Sequence, residues 1–467
     1  MNLTLTNIGK VRKSDLKLGK LTLLCGKNNT GKTYITYSIY GFLKYLSKSE
    51  FSLRSLGKYF NEAIDSNQTN IPLTEISNSL KESFIDYSQQ LGKVLAVNNL
   101  ENANIELKNI DSLINYNHTF NRVGQFKLSK DSVHLFQYKK EQKNNYVSIV
   151  YTPSDFKETS DLLDSIFNDL TFIKKRLLTT IEHQFKLIII REVIKSIPTK
   201  VFISSVERTG IAIFKEELDE LIDKDNDLFG LIDNNKDVFK GHYPSAVKDN
   251  INSVKKYHRL QELELQSELS RDAPFILNYF QEIINGEYVL DNETKSIKYF
   301  PKGESNHQRG LSLIESSSSI RSLLDIGIYI QHFAEKGQTL IIDEPEMNLH
   351  PYNQRKIARL IAMLVNYGIN ILITTHSDFI TREISFLIMM KDEKRKHLLD
   401  IEPIIKAEYS ASQLLYPDDV KVYSSNYDLY TQSVSIKAED VSLEDGFSIP
   451  TFDDTVNQMN DIYNIIL

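Results

Sequence analysis

The 467-residue sequence predicts an α/β protein, a mixed sheet that includes an antiparallel meander, with helical insertions. Three observations predict it. The apolar run Leu21–Cys25 is followed at once by Gly26-Lys27-Asn28-Asn29-Thr30-Gly31-Lys32-Thr33, and then by an apolar, aromatic stretch over 34–46 that reads as a buried helix. A second apolar run, Gln338–Ile342, ends in Asp343-Glu344. A third, Ile369–Thr375, ends at His376. Short, nearly unbroken apolar runs suit strands buried on both faces, as in a parallel sheet.

Composition narrows the function. Hydrophobic residues make up 41% and charged residues 25%, which is ordinary for a globular protein, and the length allows roughly three domain-equivalents. Lys+Arg 55 against Asp+Glu 62 gives a net charge of −7, which argues against a protein that coats nucleic acid by bulk charge. No apolar run approaches the ~20 residues of a membrane-spanning helix, so no membrane partner is expected. Met1–Thr4 lacks a basic start followed by an apolar stretch, and the single cysteine, Cys25, allows no internal disulfide. Together these point to a cytoplasmic protein.

Four segments follow along the chain. Residues 1–210 form the first part of the α/β unit. It opens with strands at 2–6, 15–18 and 21–25, and its helix over 73–110 follows a break at Asn70-Ile71-Pro72. Period-two alternation from 116 to 152 predicts the meander, and a long amphipathic stretch over about 157–196 precedes the short strand Val201–Ser204. Residues 211–285 read as a charged helical insertion, a short helical hairpin with a turn near Gly241-Pro244. Residues 286–400 form the second α/β part and open on a hairpin, Glu287–Leu290 with Ser296–Phe300, around Asp291-Asn292. Residues 401–467 read as a β-rich tail of short strands and turns.

The loop from Gly26 to Thr33 has the spacing of a phosphate cradle. Its glycines let backbone N–H groups of Asn28, Asn29, Thr30 and Gly31 close round phosphates, and the helix entered at Lys32, Thr33 and Tyr34 favours negative charge at its N-terminus. Lys32 would reach the β- and γ-phosphates, and the Thr33 hydroxyl would ligate Mg²⁺. A carboxylate at the tip of a buried strand is costly unless paired or bound to metal. Asp343 would therefore hold Mg²⁺ through water, and Glu344 would polarise an attacking water. His376 is expected at the same sheet edge, as a γ-phosphate sensor. The basic groups Lys10, Arg12 and Lys13, and the clusters Lys139–Lys143, Lys174–Arg176 and Lys391–His397, are short or adjoin acids and read as solvated faces.

The order phosphate loop, Asp343-Glu344-Pro345-Glu346, Asn348-Leu349-His350-Pro351 and Thr374-Thr375-His376-Ser377 resembles the ABC-type ATPase heads of the SMC, Rad50 and OLD-like class. The resemblance implies ATP and Mg²⁺ as cofactors, Glu344 as hydrolytic base and His376 as switch histidine. It also implies a homodimer, or a larger assembly of dimers, that sandwiches ATP. In that class a signature before the Asp-Glu strand is offered to the partner's ATP, and here it corresponds to Ser317, Ser318 and Ser319, with a serine at 319 where glycine is usual. Glu207-Arg208 falls where the class carries its Q-loop. Glu207 is a candidate metal or water ligand and Arg208 a phosphate or interface residue, with a structural ion pair equally open. The Toprim metal set of OLD nucleases is missing from the tail, so no nuclease activity is expected of this chain. The string from Asp343 to Pro351 further resembles the ATPase subunits of anti-phage systems of the PARIS or Septu type, which hold or activate a separate effector, commonly a nuclease encoded nearby. The rival reading is a RecF- or Rad50-like repair clamp that binds DNA in its ATP-closed dimer. A transporter nucleotide-binding subunit fits less well, because those are about half this length.

Overall fold

The computed structural model describes residues 1–48, 54–98, 100, 102–108, 110, 114, 117–128, 131–142, 144–151, 171–193, 200–214, 243–291, 296–303, 310–401 and 409–466. They divide into two compact units, one of Met1–Lys44, Gln90–Ile105 and Pro198–Leu467, the other of Tyr45–Gln89 and Glu106–Ile197. The strands β1 (Asn2–Ile8), β2 (Val11–Lys17) and β3 (Leu21–Gly26) open the chain, and α1 (Lys32–Lys48) follows the phosphate loop. Next come β4 (Gln68–Pro72), β5 (Asn104–Leu107), β6 (Phe120–Leu128), β7 (Asp131–Lys140), β8 (Tyr146–Tyr151) and β9 (Val201–Ser204). A small hairpin follows, β10 (Gly286–Leu290) and β11 (Ile297–Pro301) with β12 (Leu311–Ser312). The last strands are β13 (Thr339–Asp343), β14 (Asn370–Thr375), β15 (Val420–Asp428) and β16 (Ser433–Glu439).

The first unit is built on a nine-stranded sheet in the order β5-β1-β2-β16-β15-β3-β14-β13-β9. From β15 to β9 every pairing is parallel, while β1 with β2 and β15 with β16 are antiparallel. Every residue of β3 and β13 is buried, as their apolar runs require. Register sets Val422, Leu23, Ile373 and Ile342 side by side across four strands. Burying each such side chain contributes about 1.5–3 kcal/mol, and this row anchors the strand ends that carry the motifs. The second unit holds the four-stranded antiparallel sheet β4-β8-β7-β6 over an aromatic core in which Phe60, Phe136, Tyr138 and Phe185 have ring centroids 5.1–6.3 Å apart.

Three expectations are corrected. Asn70-Ile71-Pro72 is not a break but the end of β4, an edge strand in which Ile71 is buried and Pro72, at the last position, removes no central ladder bond. The helix expected to run to 110 is instead two helices, Leu73–Ser88 and Leu91–Leu95; the second ends where Ala96 is left-handed (φ +55), and the chain turns again at Asn102 (φ +57) before β5. The tail is not strands and turns throughout. It supplies β15 and β16 to the main sheet, and Pro450–Ile466 is a 17-residue helix with proline at its first position and no buried residue. The hairpin at 286–301 is present, with Leu290 opposite Ile297. Residues 215–242 of the expected insertion, 157–170 and 194–196 of the amphipathic stretch, and the turn residue Asn292 lie outside the described residues, as do the side chains of Lys174–Arg176 and residue Lys143.

Candidate functional site

Register across the parallel strands assembles the site. Asp343 is opposite Thr374, Thr375 opposite Cys25, and Gly26 opposite Ser425, so the carboxyl ends of β13, β14, β3 and β15 lie in one row. In parallel α/β sheets this is the edge where ligands bind, because strand ends there give way to loops and helix N-termini. The phosphate loop, Asp343, Glu344 and His376 are thereby brought together.

Three loop residues adopt positive φ: Gly26 (+143), Asn29 (+63) and Gly31 (+78). At Gly26 a Cβ would also stand 2.2 Å from Ser425 Oγ and 2.6 Å from its carbonyl oxygen, so only glycine fits. Lys32 is 5% exposed, and its Nζ donates to the carbonyls of Gly26 (2.9 Å) and Lys27 (2.8 Å). Burial lowers its pKa, opposed by Glu344 and Asp343. Asn28, Asn29 and Tyr34 are exposed, and the Tyr34 ring lies beside Gly9. Thr30 Oγ1 donates to the Lys27 carbonyl at 2.8 Å and lies 2.7 Å from Ser425 Oγ, which is also 3.0 Å from the Cys25 carbonyl. Ser425 thus braces the loop from the C-terminal strand. It carries no local sequence signal, since its partner Thr30 is 395 residues away.

Asp343 is fully buried. The Thr374 hydroxyl donates to its Oδ1, while Oδ2 has no hydrogen-bond partner among the described residues. Burial pushes this carboxyl up to about 6, and the hydroxyls of Thr374 and Thr33 hold it down. The folded-state value is the higher one. The group's contribution to stability is therefore present below about pH 4 and lost as pH rises through about 6, an effect of about 3 kcal/mol. The stability of the parent protein minus that of Asp343→Asn is expected to fall by that order between pH 4 and 7 in urea denaturation without nucleotide. A difference that stays flat across this window would refute the assignment.

Glu344 has a left-handed backbone (φ +53), an arrangement costing of order 1–3 kcal/mol that persists only where neighbours over-determine it. Here its N–H donates to the Thr374 carbonyl (3.2 Å) and hydroxyl (3.0 Å), and its carbonyl accepts from Arg208 Nη2 at 2.6 Å. Its carboxylate lies 3.5 Å from His376 Nδ1. Hydrogen bonding to His376 holds Glu344 below the usual carboxylate range against burial, and the same contact raises His376. Asn348 is also left-handed, with its amide 3.3 Å from the Thr209 hydroxyl, and His350 caps the helix Pro351–Tyr367.

The Glu207-Arg208 pair separates in role. Arg208 is 3% exposed and spends its guanidinium on backbone carbonyls: Ser322 (2.8 Å), Ser205 (2.9 Å), Asp343 (2.6 Å) and Glu344. Glu207 Oε2 accepts from the Tyr37 hydroxyl at 2.8 Å, and Tyr37 in turn feels Asp343, so Glu207 stands at the rim of the site through that tyrosine. Ser317 caps the helix Ser318–Ile328 and lies 2.7 Å from the Ser319 hydroxyl. Ser317 and Ser318 are exposed.

The donors fit a small hard cation. Among the described residues no group of three or more His, Cys, Asp or Glu would hold a metal alone, so a cation here needs phosphate oxygens beside Thr33 and Asp343. The orphaned, buried Asp343 Oδ2 is the protein oxygen that such a cation's water shell would satisfy.

Several solved structures resemble this chain. One is an Smc head bound to the C-winged helix domain of ScpA (11% identity, TM-score 0.36, covering 95% of this chain and 98% of that one). A second is the Smc head from Pyrococcus furiosus with an extended coiled coil bound to the C-terminal domain of ScpA (12%, 0.33, 99% and 98%). A third is the SMC head from Thermotoga maritima (10%, 0.29, 94% and 98%). A search of curated proteins returned no match. The sequence profile described as AAA ATPase domain matches residues 1–381. With the mixed sheet and phosphate loop, this makes the fold that of a P-loop ATPase. The matched stretch takes in every motif from Gly26 to His376 and well over half of the chain, which therefore belongs to the AAA ATPase domain family.

Proposed function

We propose that the chain binds ATP with Mg²⁺ at this sheet edge and hydrolyses it as an ABC-type ATPase. We further propose that it is the sensor and scaffold subunit of an anti-phage defence complex that holds or activates a separate effector nuclease. One observation carries the catalytic reading: the aligned strand ends gather Lys32, Asp343, Glu344 and His376 at one loop. The defence role rests on the resemblance of the string from Asp343 to Pro351.

In this reading the backbone of Gly26–Gly31 and the N-terminus of α1 bind the phosphates, and Lys32 neutralises the β- and γ-groups. Mg²⁺, held by Thr33 and through water by Asp343, would draw charge from the phosphate oxygens when bound. Glu344 orients the water, His376 contacts the γ-phosphate, and Glu207 with Tyr37 borders the metal side. The exposed Ser317 and Ser318, with Ser319, serve the ATP of a second copy, which makes the active form a dimer.

The test is to purify the protein with its genomic neighbours and weigh the assembly with and without ATP. ATP-dependent retention of a neighbour, lost in Lys32→Ala and prolonged in Glu344→Gln, is expected. Retention indifferent to both substitutions would overturn the scaffold role.

A further inference from the structure

Two carboxylates face one imidazole. His376 Nδ1 lies 3.2 Å from Glu346 Oε1 and 3.5 Å from Glu344 Oε1. The two acids differ in freedom. Glu346 is 4% exposed, and its Oε1 accepts from the Thr375 hydroxyl (2.8 Å) and from the backbone N–H of His376 itself (2.7 Å). It is therefore locked to the strand end that carries the ring. The Glu344 side chain is 25% exposed, and any contact its oxygen makes with the ring competes with a contact to water.

Building on the ATPase reading above, we propose that Glu346 is the carboxylate that orients the His376 imidazole during turnover, which leaves Glu344 free to act on water. A buried acid behind a more exposed imidazole fixes which ring nitrogen faces the reaction. With Nδ1 turned to the two carboxylates, Nε2 is the nitrogen that faces outward, and in the doubly protonated ring it donates to a phosphate oxygen. Glu346 touches neither water nor nucleotide in this scheme and is a positioning residue.

The charged groups facing the ring are Glu344 and Glu346, from the turn after β13, and Lys32 from α1. Removing the Glu346 charge takes away one group that favours the doubly protonated ring. Glu346→Gln keeps the size of the side chain and an acceptor for Thr375 and the His376 N–H. In the full chain it is expected to lower kcat for ATP hydrolysis about tenfold. The Kd for ATP should stay within about twofold of the parent value, and the alkaline limb of the kcat–pH profile should move to lower pH. In a His376→Ala background the same substitution should add nothing, because the two residues act as one unit.

Parental kcat and an unmoved alkaline limb in Glu346→Gln would overturn the proposal. So would an equal loss in both backgrounds, which is what a merely structural role gives, and this comparison holds even where Glu346→Gln is less stable. A parent protein that does not hydrolyse ATP would instead overturn the ATPase reading itself, and a Glu344→Gln variant at parental rate the assignment of Glu344 to water.

Discussion

Replacing Glu344 with Gln is expected to lower kcat for ATP hydrolysis by about 10²–10⁴-fold while leaving the Kd for ATP within about twofold. The substitution removes one charge without changing side-chain size. The backbone that presents residue 344 is fixed by partners the side chain does not touch, namely Thr374 on its N–H and Arg208 on its carbonyl. Gln is therefore presented at the same place, in the same left-handed turn, and the loss falls on the orienting of water rather than on binding. The neighbouring carboxylate cannot take over. Glu346 is buried and already accepts from Thr375 and the His376 backbone. Single-turnover and steady-state ATPase assays, with nucleotide binding measured separately, check this. Parental turnover in the variant, or a loss confined to Kd, would show that Glu344 is not the group acting on water.

Much of this site is legible in the sequence because its parts are local. A strand that must be buried on both faces announces itself as an unbroken apolar run, and Leu21–Cys25, Leu340–Ile342 and Ile371–Ile373 all do so. The residues that end such runs are forced to one sheet edge by parallel register alone, so Gly26, Asp343 and His376 converge without any long-range information. Non-local pairings leave no such trace. Ser425 reads as one more polar residue in a loose tail, yet it lies against Gly26 and Thr30, because β15 enters the sheet directly beside β3. The alternation in β15 and β16 is visible, but the strands they join, β3 and β2, lie at the other end of the chain. The stop of the short helix Leu91–Leu95 is hidden for a different reason. Left-handed Ala96 is a position that sequence preference gives to glycine or asparagine.

Glu207-Arg208 shows the limit most clearly. As a sequence, an acid followed by an arginine after a strand is compatible with a metal or water ligand, a phosphate or interface residue, or a structural ion pair. In the fold Arg208 is buried, and its planar fork meets backbone carbonyls from three separate segments. Only the folded sheet brings those segments together, so no local pattern could encode the role.

Arg208→Ala is accordingly expected to destabilise the protein by about 3–5 kcal/mol, a large fraction of the stability of an ordinary domain. The truncation strands the carbonyls of Ser205, Ser322, Asp343 and Glu344 in a buried region and releases the left-handed backbone at Glu344. It also removes the cation that offsets burial of Asp325, whose carboxyl is already raised. Arg208→Lys should recover little, because a single ammonium cannot span carbonyls that a guanidinium reaches from three nitrogens. Urea denaturation without nucleotide reads the loss. A phosphate ligand would behave oppositely, keeping stability and losing only ATP affinity. The same bonds have a mechanical consequence. Arg208 joins Ser322, in the helix capped by Ser317, to the turn that carries Glu344, so a shift of that helix would pull on this turn. If the tie matters for turnover, mild destabilisation elsewhere in the sheet should leave the ratio of hydrolysis to binding unchanged, whereas Arg208→Lys should lower that ratio in whatever fraction remains folded.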